Sequence, residues 1–216
     1  VNRAMVTCLA KPQSNVMVSL FTPCEMLHLQ GLHPYSCEGF SSYLSGAMAE
    51  QPFLHQAEDT GIPNSLCSYH KVFIGAAQMG LMPKPRFILS TSLACDANTL
   101  TFRHLAQFYD VPHFNVDIPF ESSPQAVDYV AGQLRQMGEF LTRQTGLPLD
   151  DGQLARTVAR SQRTMALYHR GLRLRAGRQV LSDLTSELLR TAAFHFLLGT
   201  PETEAYARQL LREITT

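Results

Sequence analysis

The sequence predicts an α/β fold: a mostly parallel, Rossmann-like sheet over residues 1–122, then an all-helical region over residues 123–216. Three observations predict it. Residues 15–21 and 86–93 are short apolar, β-branched runs, each followed by a helical pattern. Residues 86–120 read as strand, helix and second strand, a βαβ unit whose right-handed crossover makes parallel pairing the default. From Pro124 onward the periodicity is helical alone.

Taken in order, residues 15–21 (NVMVSLF) form a buried strand. Pro23 suits the first turn of a helix through about Gln30, with Gly31 as its stop. Residues 32–45 are rich in turn formers and read as a loop holding Cys37. A helix over 53–59 ends at Gly61-Ile62-Pro63. From Ser68 to Gly80 the residues Tyr69, Val72, Phe73, Ala76 and Ala77 make one helical stripe, which puts Cys67 at its N-terminus.

The strand over 86–93 follows a proline-punctuated connection. Asn98 or Thr99 caps the next helix, whose inward positions are Phe102, Leu105, Ala106 and Tyr109. Residues 111–118 are the second strand of the unit. Beyond it, a helix over 126–145 carries Val127, Val130, Leu134, Met137 and Leu141, closed by Gly146. Asp150 or Asp151 caps a long helix to about Ala176, with Val158, Met165, Tyr168 and Leu172 inward. Ser182 or Asp183 opens another, ended by Gly199, and Pro201 starts the last.

With 216 residues, 45% of them apolar and 17% charged, the chain has ample material for a core. No apolar run is of membrane-spanning length, and the N-terminus lacks a signal-peptide core, so a cytoplasmic protein without a membrane partner is expected. The missing initiator Met points to a processed chain, a trimmed one or a piece of a longer protein. Net charge is zero, with −3 in residues 1–125 and +3 in the remainder, and neither half has the basic patch of a nucleic-acid binder. Arg156 to Arg178 holds seven arginines and no acidic residue, which is either a solvated helix face or a place for phosphates or an acidic partner.

Five cysteines without a secretory context favour metal or redox chemistry over disulfides. Cys24, Cys67 and Cys95 each fall at a predicted helix start, two of them just after strands. Parallel strands bring such positions to one edge of a sheet, where open α/β folds bind ligands. Helix N-termini present free N–H groups and partial positive charge, which lower thiol pKa and favour an anionic thiolate-held iron–sulfur cluster. The alternative is that they are small buried hydrophobes. No C-x₂-C pair, Gly-rich dinucleotide fingerprint, GxxxxGK loop or HExxH spacing occurs. His70 and His113, near helix starts or strand ends, are candidates for acid/base or hydrogen-bonding roles as well as structural ones. Glu25, directly after Cys24, either stabilises its helix N-terminus or faces a substrate.

The segments SLCSYHKVFIGAA (65–77), PKPRFILSTSLACDANTLTFRHLA (83–106) and VPHFNVDIP (111–119) resemble the D-component family of 2-hydroxyglutaryl-CoA dehydratase. That family also takes in 2-hydroxyacyl-CoA dehydratases, benzoyl-CoA reductase subunits and double-cubane cluster proteins. The Pro-x-Glu element Pro23-Cys24-Glu25 and the helical TRQTGLPLDDGQLARTV (142–158) agree with it. The resemblance implies a [4Fe–4S] cluster held by three cysteines, Cys67 and Cys95 among them, with one iron left open. The family's first cysteine lies a few residues before that proline, where this chain has Ser19, Leu20 and Phe21. Cys24 is therefore the substitute third ligand and Cys37 the reserve, and Glu25 and His70 are the candidate catalytic groups.

Family members continue into a further α/β domain, so the resemblance implies an N-terminal portion or a short homologue. The activity it implies is a hydro-lyase reaction on an acyl-CoA substrate. An ATP-dependent iron–sulfur activator protein supplies one low-potential electron, and a 2-hydroxyacyl-CoA loses water by a radical route. A homo- or heterodimer with a related subunit is implied as well. Two other roles come from the same resemblance: an electron-transfer or double-cubane-type reductase module, and a non-catalytic partner subunit.

Overall fold

The structure, a computed structural model, describes residues 6, 8, 10–176 and 184–215. Four strands form one sheet: β1 (Asn15–Val18), β2 (His33–Ser36), β3 (Phe87–Thr91) and β4 (His113–Val116). Their spatial order is β2-β1-β3-β4, and every pairing is parallel. The parallel α/β sheet with helices beyond it is thus the observed architecture, and the 86–93 run lies in the interior of the sheet. All five residues of β3 and all four of β1 are buried, as expected of strands covered on both faces.

Alternation along the strands divides the core in two. Met17 and Ile88 point to one face, where they meet α2 (Cys37–Gly46), α3 (Gln51–Asp59), α4 (Ser68–Gln78) and α5 (Asp96–Tyr109). Val16, Val18, Phe87, Leu89 and Val116 point to the other. There Leu27 of α1 (Glu25–Leu29), Met137, Phe140 and Leu141 of α6 (Pro124–Thr145) and Phe196 of α8 (Leu184–Phe196) complete a second cluster. The two remaining helices, α7 (Asp151–Arg175) and α9 (Pro201–Thr215), pack on each other.

The connections determine where a ligand has room. From β1 the chain runs through α1 on one face to β2 on one side; from β3 it runs through α5 on the other face to β4 on the opposite side. The C-terminal ends of β1 and β3 are therefore the topological switch point, where an open α/β sheet has its crevice.

Three expectations need correction. Residues 32–45 are a strand and a helix: β2 carries Pro34 in an edge strand, where proline is tolerated, and α2 starts at Cys37 under a Ser36 cap whose hydroxyl accepts from Gly39 N–H at 3.0 Å. Turn-forming composition hid an edge strand that long-range pairing with β1 stabilises. On α7 the buried positions are Thr157, Ser161, Thr164 and Gly171, whereas Val158 and Leu172 are exposed. Small residues face inward there because α1, Gly199 and α9 approach closely. Tyr69 stands on the exposed side of α4, and Val127 on that of α6. The expected helix start at Ser182 or Asp183 lies outside the described residues.

The arginine-rich helix is partly paired. Arg160 and Arg163 reach Glu204 of α9 at 3.7 and 3.4 Å, and Arg175 meets Glu187 of α8 at 2.7 Å. Among the described residues, no helix is long and apolar enough to cross a membrane.

Candidate functional site

Cys95 is the residue that precedes α5, in extended backbone at φ −163°. Its loop is turned by Ala94, whose φ of +80° is unfavourable for a residue with a Cβ, by about 1 kcal/mol. Asn98 pins that loop: its side-chain amide donates to Leu93 C=O at 3.1 Å, and its N–H bonds Cys95 C=O at 3.1 Å. Cys67 occupies the same position before α4. Neither thiol is used as a helix cap, and both are exposed. Each therefore faces solvent beside the free N–H groups of a helix N-terminus.

His70 links the two. Its N–H bonds Cys67 C=O at 3.0 Å in the first turn of α4. Its ring Nε2 lies 3.8 Å from Cys95 Sγ, and its Nδ1 lies 3.0 Å from the Thr101 hydroxyl of α5. The ring is 4% exposed and tilted against Phe73 at 5.2 Å. Burial lowers its pKa. Tyr69, next in the chain, is held by Ser42 through a 2.6 Å hydroxyl contact, and Ser41 donates to its carbonyl at 2.8 Å.

The other candidates are elsewhere. Cys24 is 1% exposed and packs with the cluster on the opposite sheet face, its thiol donating to Thr22 C=O at 3.3 Å. Burial, with the neighbouring Glu25 carboxylate, pushes that thiol well up from its ordinary pKa. Cys37 is on the α4–α5 face but fully buried, and its thiol is likewise raised by burial and then by Glu38. Glu25 is half-buried and accepts a hydrogen bond from Ser161 of α7 at 2.8 Å. His113 faces Ser90 at 2.8 Å, and burial, aided by the Arg103 charge, lowers its pKa to about 4.

The arrangement thus sets the Cys95 sulfur beside the His70 ring, joins Cys67 to His70 through its backbone carbonyl alone, and leaves Cys24 and Glu25 across the sheet. Among the described residues, no three His, Cys, Asp or Glu side chains are grouped to hold a metal ion. Cys67 and Cys95 are exposed thiols at two helix starts, the residue type that ligates an iron–sulfur cluster, whereas Cys8, Cys24 and Cys37 are buried.

Two polar groups here escaped sequence reasoning. Thr101 has no motif around it; only helix packing sets it against His70. Glu38 is a 9% exposed carboxylate in the first turn of α2, accepting from Leu20 N–H at 3.0 Å and from the Ser36 hydroxyl at 3.2 Å. Burial raises its pKa, against the hydrogen bonds that lower it. Its signal was the S-x-E spacing of Ser36 and Glu38 at a helix start, hidden by the loop reading.

The sequence model of the family described as 2-hydroxyglutaryl-CoA dehydratase, D-component, matches residues 19–216. The chain belongs to this family. It is also similar to the (R)-phenyllactyl-CoA dehydratase alpha subunit of Clostridium sporogenes, at 25% identity over 121 residues. That match covers 52% of this chain and 30% of the relative, so the chain spans well under two thirds of it.

Proposed function

We propose that this chain is part of the iron–sulfur subunit of a 2-hydroxyacyl-CoA dehydratase-like enzyme, with Cys67 and Cys95 supplying two thiolate ligands of a [4Fe–4S] cluster. The observation that carries the reading is the pair of exposed, uncapped cysteines before α4 and α5, joined through buried His70. When bound, such a cluster supplies low-potential one-electron chemistry for expelling a hydroxyl from a 2-hydroxyacyl thioester. Cys67 and Cys95 would hold it at the N-terminal ends of two helices, whose partial positive charge favours an anionic group. In this reading residues 1–122 carry the site, and residues 123–216 form the helical part that carries Ser161, the partner of Glu25.

The reading includes an ATP-dependent iron–sulfur activator and a related partner subunit, the latter supported by the Clostridium sporogenes relative being an alpha subunit of its dehydratase. The burial of Cys8, Cys24 and Cys37 weighs against a double-cubane arrangement, which needs further exposed thiols.

The test is anaerobic reconstitution of the full chain with iron and sulfide. Roughly four irons per chain are expected, falling sharply in Cys67→Ser and in Cys95→Ser. A wild-type chain that stays free of iron, or single variants that keep the full complement, would overturn the assignment. Cys24→Ser and Cys37→Ser, prepared alongside, identify the third ligand: the one that loses iron holds it, and retention in both places it outside this chain.

A further inference from the structure

Thr101 is 3% exposed, and among the described residues its hydroxyl has one hydrogen-bond partner, His70 Nδ1 at 3.0 Å. A buried hydroxyl must place its proton somewhere, and a neutral imidazole offers one N–H and one bare nitrogen. Were the ring proton on Nδ1, Thr101 would accept it and its own O–H would be orphaned, at a penalty that buried polar groups rarely bear. With Thr101 donating to Nδ1, the proton sits on Nε2. That nitrogen is the one that faces Cys95 Sγ at 3.8 Å, a separation the large sulfur atom allows for a weak N–H···S bond.

We propose that the Thr101 hydroxyl fixes His70 as its Nε2–H tautomer, so that His70 donates a hydrogen bond to the Cys95 sulfur. Thr101 and His70 are then positioning residues: one bond joins the two cysteine-bearing helices, and the next places a donor on a sulfur. Thr101 follows Cys95 by six residues and His70 follows Cys67 by three, so the relay crosses between α5 and α4. Such outer hydrogen bonds orient ligands and set cluster potentials, because a donor offsets negative charge on the sulfur. The consequence for a cluster rests on the proposed function; the tautomer and its cause do not.

The test reads the metal-free, reduced full chain first. Long-range ¹H–¹⁵N correlation at about pH 8, above the imidazole range, is expected to show His70 protonated at Nε2 and bare at Nδ1, its signals identified by their loss in His70→Gln. Thr101→Ser is expected to keep that pattern, and Thr101→Val to give a mixture of tautomers. Should Thr101→Val not fold, Thr101→Ala provides the same comparison. A protonated Nδ1 in the wild type, or an unchanged pattern without the hydroxyl, overturns the proposal. In the reconstituted chain, His70→Phe is expected to lower the cluster potential, and His70→Gln, which keeps an amide donor, to lower it less. Equal potentials in wild type and His70→Phe refute the bond to Cys95. If the chain takes no iron while the Nε2–H tautomer is observed, the cluster reading fails and the relay stands.

Discussion

The Ser161 hydroxyl donates a hydrogen bond to the Glu25 carboxylate across 2.8 Å, joining residues 136 positions apart. It fastens the first turn of α1, at the end of β1, to the middle of α7. Gly199 closes over the same contact at φ +89°, where a Cβ would stand 2.8 Å from Thr157 Cγ2 and 3.0 Å from Glu25 Cγ. Ser161→Ala removes the donor to a half-buried carboxylate and should cost about 1–2 kcal/mol. Urea denaturation measures it; Glu25→Gln, which keeps an acceptor oxygen, should cost less. A Ser161→Ala midpoint equal to wild type would contradict the contact.

Gly75 is where α4 meets the backbone of α3. A Cβ there would lie 2.0 Å from Phe53 C=O, a clash with backbone that no side-chain rotation relieves. Gly75→Ala should therefore destabilise the chain by about 3 kcal/mol or more. Gly132, in the middle of α6 with nothing within 4 Å of its Cβ position, is the control. Gly132→Ala should stabilise by about 0.5–1 kcal/mol through helix propensity. The two changes are chemically identical, so thermal or urea unfolding of the pair isolates the packing.

Thiol chemistry separates the cysteines. Cys67 and Cys95 are exposed, whereas Cys8, Cys24 and Cys37 are buried. In the native metal-free chain, brief alkylation followed by peptide mapping should label Cys67 and Cys95, and the other three only after denaturant is added. Labelling of Cys24 at the rate of Cys67 would show that its packing on the α1 face is wrong.

Acid should weaken the fold before most carboxylates are protonated. His113 has its folded pKa lowered to about 4 by burial and Arg103, against about 6.5 in the unfolded chain. Between those values the unfolded chain binds more protons, so this stabilisation is complete above about pH 6.5 and is lost progressively down to about pH 4. His28, His33 and His70 are lowered too, each chiefly by burial, and act with the same sign. Glu38, raised by burial, acts oppositely. The urea midpoint should fall from pH 7 to pH 5, and His113→Asn should flatten that slope; an unchanged slope would remove His113 from the account.

The sequence by itself determined where the secondary structure lies along much of the chain. Apolar runs located β1 and β3, and 3.6-residue periodicity located α4, α5 and α6, because local burial patterns are written in neighbouring residues. It also placed Cys67 and Cys95 before helices, since the turn residues and helical stripes around them are local signals. Tertiary structure alone decided the rest. β2 has weak local strand character and exists by pairing with β1, a contact no local pattern reveals. Strand order and crossover sides put α1 and α5 on opposite faces, so Cys24 and Cys95, alike in sequence setting, end on different sides of the sheet. The same packing buries Cys24 and Cys37, exposes Cys67 and Cys95, and sets Thr101 against His70. Burial and proximity depend on residues far apart in the chain, and only the packed fold brings those together.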